Sequence, residues 1–131
     1  HAVEKMMDFR LTHGECVGIG AVLAAGMSCK RGYISEKEYE DIREIFRYFD
    51  FPELPEELCP ADIVRETKHD KKMEHGTIKF ILLKEVGVAD IFRDVTDEEM
   101  TGILEEAKKM SGRNTIQSQK SPGVSADSAS V

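Results

Sequence analysis

Residues 12–32 read THGECVGIGAVLAAGMSCKRG, and this stretch decides the architecture. Its middle, CVGIGAVLAAGM, contains only apolar residues and glycines. A helix that is apolar on every side is expected to be buried on every side. Thr12 and Glu15 have the spacing of a capping box that starts a helix, and Gly32 is a natural stop. The sequence therefore predicts a central buried helix over residues 13–31.

Three glycines, Gly18, Gly20 and Gly26, stand in the apolar middle of this predicted helix. Each lowers the intrinsic helicity relative to alanine. We expect the compensating gain to be the close approach of a neighbouring backbone or of a ligand. The glycines thus predict tight packing against this helix.

The rest of the chain predicts further helices and one hairpin. The pairs Ser35–Glu38 and Thr96–Glu99 repeat the capping-box spacing, and Pro60 suits a first helical turn. β-branched and apolar runs indicate two strands. The predicted segments are the end of a helix over 1–8, a connector over 9–12, helices over 35–49, from residue 60 and over 96–110, and strands over 77–83 and 86–92.

Apolar side chains recur at three- and four-residue steps in two of these helices, which predicts one core-facing stripe on each. The stripes are Tyr39, Ile42, Ile45, Phe46 and Phe49 on the first and Met100, Ile103, Leu104 and Ala107 on the second. Ile63 and Val64 are expected to face inward on the helix after Pro60. The expected fold class is therefore mainly α, with a small β-hairpin.

The composition changes at Ser111, beyond which serine, glutamine, alanine, glycine and proline dominate. Such a segment buries too little apolar surface to offset the entropy lost on ordering. We therefore expect a helical domain over residues 1–110 and a disordered tail over 111–131.

Bulk composition limits the classes of function. The chain has 131 residues, 40% of them hydrophobic, and a net charge of −7. This acidic balance argues against nucleic acid as the main partner. The three cysteines form no CxxC pair, which argues against a disulfide framework or a thiolate zinc site and fits the cytoplasm. The longest apolar run is too short to span a bilayer, so no membrane partner is expected.

Two histidines near the start of the chain are candidates for metal binding or proton transfer. On one continuous helix, His1 and His13 would point about 120° apart. They can share a site only if the chain breaks between them, and the connector over residues 9–12 supplies that break. His13 is a candidate metal ligand, and its alternative is an ordinary histidine at a helix start. Glu15 is a further candidate ligand, although a capping-box carboxylate explains it more simply.

A polar cluster, His69-Asp70-Lys71-Lys72, lies further along the chain. Its simplest explanation is a solvated turn, with His69 and His75 exposed. The functional alternative is that Lys71 and Lys72 clamp an anion such as phosphate or carboxylate.

Taken together, these segments resemble the C-terminal domain of the 3-dehydroquinate synthase family. The resemblance lies in HAVE at residues 1–4, LTHGECVGIG at 11–20, GYIS at 32–35, DKK at 70–72 and IKFILL at 78–83 ahead of Val86-Gly87. It extends over residues 1–107 in the family's order. The His-Gly-Glu helix combined with the downstream Asp-Lys-Lys carries most of its specificity.

The resemblance implies an enzyme with an N-terminal NAD-binding domain, a mainly helical C-terminal domain and an active site between them. Its reaction converts 3-deoxy-D-arabino-heptulosonate 7-phosphate to 3-dehydroquinate with release of phosphate, in the shikimate route to aromatic amino acids. This makes it a carbon–oxygen lyase that uses NAD and a divalent metal, zinc or cobalt. A phosphorylated sugar acid is the implied substrate, and the implied full-length enzyme is a cytoplasmic homodimer.

The resemblance also implies roles for individual residues. His13 matches a metal ligand. His1 matches a histidine that contacts substrate and takes part in proton transfer. Lys71 matches a lysine that binds the anionic groups of the substrate, with Lys72 as the alternative. No residue of this chain matches the glycine-rich NAD-binding loops.

The sequence also departs from the family pattern. The other two metal ligands, a histidine and a glutamate, would lie before residue 1, and Cys16 stands where the family often has alanine. We therefore expect this polypeptide alone to be inactive and to bind no cofactor tightly.

Three alternatives remain open. A related sugar-phosphate cyclase shares much of the pattern, and a polyol dehydrogenase keeps the zinc but lacks the phosphate-binding lysine. The third is a non-catalytic helical module that binds a protein partner. A buried His13 lining a pocket with Lys71 favours the enzyme, whereas a locally bonded His13 with an apolar groove elsewhere favours the module.

Overall fold

The structure, a computed structural model, describes residues 1–73 and 76–119, and for residues 71–73 and 112–119 it describes the backbone alone. Over these ranges the fold is mainly helical with one hairpin, as predicted. The elements are α1 (Ala2–Met6), α2 (His13–Lys30), α3 (Glu36–Tyr48), α4 (Pro60–Met73), β1 (Phe80–Glu85), β2 (Val88–Phe92) and α5 (Asp97–Gln119). No helix in this described part is both long and apolar enough to cross a membrane.

All three predicted capping boxes are confirmed. The Glu15 N–H donates to the Thr12 hydroxyl at 3.2 Å, and the Thr12 N–H donates to the Glu15 carboxylate at 2.7 Å. The same reciprocal pair of hydrogen bonds joins Ser35 to Glu38, and another joins Thr96 to Glu99. Because these bonds satisfy backbone N–H groups that the helix cannot, they fix where α2, α3 and α5 begin.

Helix α2 is the centre of the fold and packs against α1, α3, α5 and β1. Two of the glycines are closely approached, but by side chains rather than by the predicted backbone or ligand. A Cβ on Gly18 would collide with the ring of Phe51, and one on Gly26 would lie 2.6 Å from Ile103 Cδ1. A Cβ on Gly20 would have no heavy atom of another described element within 4 Å.

Two predictions of burial hold only in part. The C-terminal half of α2 is buried, since Ala25, Gly26, Met27 and Ser28 are consecutive buried residues. Its N-terminal half is covered only on the face of Cys16 and Ile19, and Val17 is 55% exposed. On α3, Tyr39 is buried but Ile45 and Phe49 are 57% and 66% exposed. Periodicity showed an amphipathic helix without showing how far along it the core extends.

The hairpin is anchored to α2 by Ser28, which is fully buried. Strands β1 and β2 are antiparallel, and Gly87 turns between them at φ 90°. The Ser28 hydroxyl donates to the carbonyl of Ala24 at 2.7 Å and accepts the N–H of Leu83 at 2.9 Å. The neighbouring Leu82 is 1% exposed. One hydroxyl thus joins the strand to the helix.

The last two helices are longer than predicted. Helix α4 buries Ile63 and Val64 as expected, but it continues to Met73, so the Asp-Lys-Lys segment is helical rather than a turn. Helix α5 continues to Gln119, nine residues past the expected end at Met110. No proline lies between Pro60 and Pro122, so propagation of helix α5 meets no steric stop. Residues 111–119 of the expected disordered tail are thus helical, and the rest of that tail, residues 120–131, lies outside the described residues.

Candidate functional site

The structure brings His1 and His13 together. Their ring centroids lie 6.5 Å apart and the ring planes differ by 26°. His1 occupies the N-cap position of α1, but its side chain makes no capping hydrogen bond. Both side chains are exposed, so both imidazoles remain accessible to a ligand.

A sharp reversal of the backbone makes this approach possible. Asp8 and Phe9 have φ values of 51° and 57°, in the left-handed region that non-glycine residues rarely adopt. The Phe9 N–H donates to the carbonyl of Glu4 at 3.1 Å, which closes the end of α1. The predicted break between the two histidines therefore exists, and it lets α2 start beside α1.

Glu4 bonds directly to His13. Its Oε2 lies 3.0 Å from the Nδ1 of His13, and its side chain is 19% exposed against 67% for His13. Sequence reasoning missed this residue. The available signal was the three-residue step from His1, which places both residues on one helical face.

Two residues close to His13 in sequence, Glu15 and Cys16, are poorly suited to bind a metal. The carboxylate of Glu15 is engaged in the capping box, which confirms the simpler explanation of that residue. Cys16 is buried, and burial raises the pKa of its thiol, which disfavours the thiolate that a metal would need.

Lys5 connects this cluster to α4. Its Nζ lies 2.6 Å from Glu66 Oε1 and 3.3 Å from Asp70 Oδ1. Glu66 and then Asp70 raise the pKa of Lys5, so the ammonium stays charged. The first residue of the Asp-Lys-Lys segment, Asp70, therefore contacts α1 through the side chain of Lys5.

The side chains of Lys71 and Lys72 and all of His75 lie outside the described residues, so the approach of a lysine to His13 stays a prediction. His69 is exposed, as expected.

The donor set fits a metal only in part. Within residues 1–73 and 76–119, no three His, Cys, Asp or Glu side chains form a group able to hold a metal ion. His13 nevertheless has the chemistry of one ligand, because its hydrogen bond uses Nδ1 and leaves Nε2 for a metal.

The apolar pocket of the domain lies elsewhere. It has a volume of about 60 Å³ and is lined by α2, α3, α5 and the loop after α3, including Phe46, Phe51 and Leu54 but neither His1 nor His13. A locally bonded, exposed His13 with a separate apolar pocket is the arrangement expected of an interaction module. Because the expected metal site also needs residues outside this chain, the geometry of the chain alone does not decide the class of protein.

Comparison with known proteins decides the family. Residues 1–73 match the family described as 3-dehydroquinate synthase C-terminal. The chain is 33% identical over 108 residues to a 3-dehydroquinate synthase of Desulforamulus reducens and 37% identical over 105 residues to one of Thermoanaerobacter pseudethanolicus. The matches cover 81% and 79% of this chain, but it spans only 30% and 29% of the lengths of those relatives.

A solved structure agrees with these matches. The 2-epi-5-epi-valiolone synthase of Streptomyces hygroscopicus subsp. jinggangensis, with NAD+ and Zn2+ bound, superposes with a TM-score of 0.69 at 25% identity. The match covers 77% of this chain and 28% of that protein. These matches identify the family: this chain belongs to the 3-dehydroquinate synthase family and corresponds to its C-terminal domain.

Proposed function

We propose that this chain supplies part of the metal and substrate site of a 3-dehydroquinate synthase. The full-length protein would convert 3-deoxy-D-arabino-heptulosonate 7-phosphate to 3-dehydroquinate with release of phosphate. The observation that carries this proposal is the convergence of His1 and His13 in the segment that matches the family. The solved relative, which binds NAD+ and Zn2+, supports the same pair of cofactors.

The residues of this chain would divide the work. The Nε2 of His13 would be one of the metal ligands, and the imidazole of His1 would carry a proton to or from the substrate. The ammonium of Lys71 or Lys72 would balance the charge of the phosphate. When bound, a divalent metal supplies Lewis acidity toward substrate hydroxyls and NAD accepts and returns a hydride.

The test is phosphate release from the heptulosonate phosphate by the full-length protein, with and without a chelator. We expect release that depends on NAD, falls on chelation and is restored by zinc or cobalt. His13→Ala should abolish it, whereas His69→Ala, which removes another exposed histidine, should not.

Other results would overturn the proposal. Phosphate release from a different sugar phosphate alone would indicate a related cyclase. NADH accumulation with a polyol and no phosphate release would indicate a dehydrogenase. Equal activity of His13→Ala and His69→Ala would show that His13 is not part of the active site.

A further inference from the structure

The contact between Glu4 and His13 determines which nitrogen of the ring carries a proton. A neutral imidazole has one N–H and one nitrogen with a free electron pair, and an ionised carboxylate only accepts hydrogen bonds. With Glu4 Oε2 at 3.0 Å from Nδ1, the proton belongs on Nδ1. The free electron pair is then on Nε2.

The backbone of Glu4 is fixed by neighbouring contacts. The backbone carbonyl of Glu4 accepts the N–H of Phe9 at the reversal, and the side chain of the next residue, Lys5, is tied to Glu66 and Asp70. The Glu4 side chain is largely covered, while that of His13 is largely exposed. The better fixed partner therefore orients the freer one.

We propose that Glu4 is a positioning residue for His13: its carboxylate accepts the Nδ1–H and holds the ring in the tautomer whose Nε2 is free to bind a metal. The tautomer assignment stands on the geometry of this chain, whereas its consequence for a metal rests on the function proposed above. Glu15, which lies two residues after His13 on α2, does not take the place of Glu4 as the partner of the ring, because its carboxylate caps the helix.

The first test needs no metal. Long-range proton–nitrogen NMR of the ¹⁵N-histidine-labelled chain at pH 8, where free imidazole is neutral, identifies the tautomer of each ring. We expect the Nδ1–H form for His13, and a shift toward the Nε2–H form usual for free imidazole in Glu4→Ala. Glu4→Gln should retain the Nδ1–H form, because its amide oxygen also accepts.

Glu4→Asp tests whether the position of the carboxylate matters as well as its charge. The variant keeps the charge, but its shorter side chain no longer reaches His13. We therefore expect His13 to lose the Nδ1–H form in this variant. Glu57→Ala, which removes an exposed carboxylate paired with Arg10, is the matched control and should leave His13 unchanged. Unchanged resonances of His69 report that a variant is folded. An Nε2–H form in the wild type, or an unchanged tautomer in a folded Glu4→Ala or Glu4→Asp, would overturn the proposal.

The second test measures zinc affinity of the full-length protein by competition with a chelator. Loss of the hydrogen-bond partner of a ligating histidine typically weakens metal binding by about 10–100-fold. We expect that loss in Glu4→Ala and a smaller one in Glu4→Gln. A tautomer that shifts while zinc affinity stays constant would leave the positioning role standing and would remove His13 from the metal site.

Discussion

Gly26 and Gly20 on α2 differ in whether the surrounding packing requires a glycine. The space beside Gly26 is taken by Ile103 and Tyr39, which are 3% and 9% exposed. The position of Gly20 is exposed, with nothing within 4 Å of a built Cβ. One glycine is required by packing, and the other costs helicity without a contact that explains it within the described chain.

Substituting these two glycines should shift stability in opposite directions. Gly26→Ala should lower the free energy of unfolding by about 1–3 kcal/mol, because the methyl group enters a packed crossing. Gly20→Ala should raise it by up to about 1 kcal/mol through helix propensity. Urea denaturation followed by circular dichroism measures both. A stabilising Gly26→Ala would contradict the close approach of α5 and α3 to α2.

At the scale of elements, one arginine ties the end of α2 to the start of α5. Arg31 Nε lies 2.7 Å and its Nη2 3.0 Å from the two carboxylate oxygens of Glu99, a paired geometry that is stronger than a single bond. The same guanidinium lies over the ring of Phe92, 5.5 Å from its centroid. Helix, strand and helix thus meet at one side chain.

The Arg31 contact predicts how stability depends on pH. The guanidinium holds the pKa of Glu99 below its ordinary 4.5, so the pair contributes stability above that value and loses it as the pH falls through the lowered pKa. Glu99→Gln retains a capping residue but removes the charge. We expect it to be less stable than the wild type at pH 7 and to lose less stability on acidification.

Thermal unfolding across a pH series measures this difference. Glu98→Gln, which removes the exposed carboxylate next in sequence, is the matched control and should follow the wild-type profile. Parallel profiles for Glu99→Gln and the wild type would show that the ion pair does not contribute.

Sequence alone predicted features that depend on residues close together in the chain, and it missed features that depend on residues far apart in the chain. The capping boxes at Thr12, Ser35 and Thr96 involve residues three apart, so sequence alone located them. The exposure of Ile45 and Val17 depends on where other elements stop, which local periodicity does not contain. The contact of Glu4 with His13 depends on two non-glycine residues adopting left-handed φ values, which no residue-type preference predicts.

At the scale of the whole molecule, the candidate site is part of a larger one. The chain spans about 30% of its relatives, and its described residues gather one histidine with the chemistry of a ligand but no complete ligand set. The sequence pointed to His1 and His13, the family resemblance gave each of them a role, and the geometry added Glu4 and Lys5. The role of Lys71 or Lys72 rests on the resemblance alone.

Because the site is incomplete in this chain, we expect the 131-residue chain to bind metal weakly. Because a catalytic zinc uses three protein ligands, we expect isothermal titration of zinc into the isolated chain to show no sub-micromolar site. His13→Ala should leave the titration unchanged, and the full-length protein should bind tightly. Sub-micromolar affinity that disappears in His13→Ala would show that the chain assembles a site by itself.

The left-handed pair at Asp8 and Phe9 makes the site dependent on the body of the domain. Backbone strain of this kind persists only where surrounding contacts over-determine it. In this domain the tertiary contacts of Ala2, Val3 and Met7, which are all buried in the core, supply that constraint. Loosening of those contacts would relax the bend and separate the imidazoles while the larger helices stayed folded, so the pairing of the two rings would be lost at milder stress than helicity.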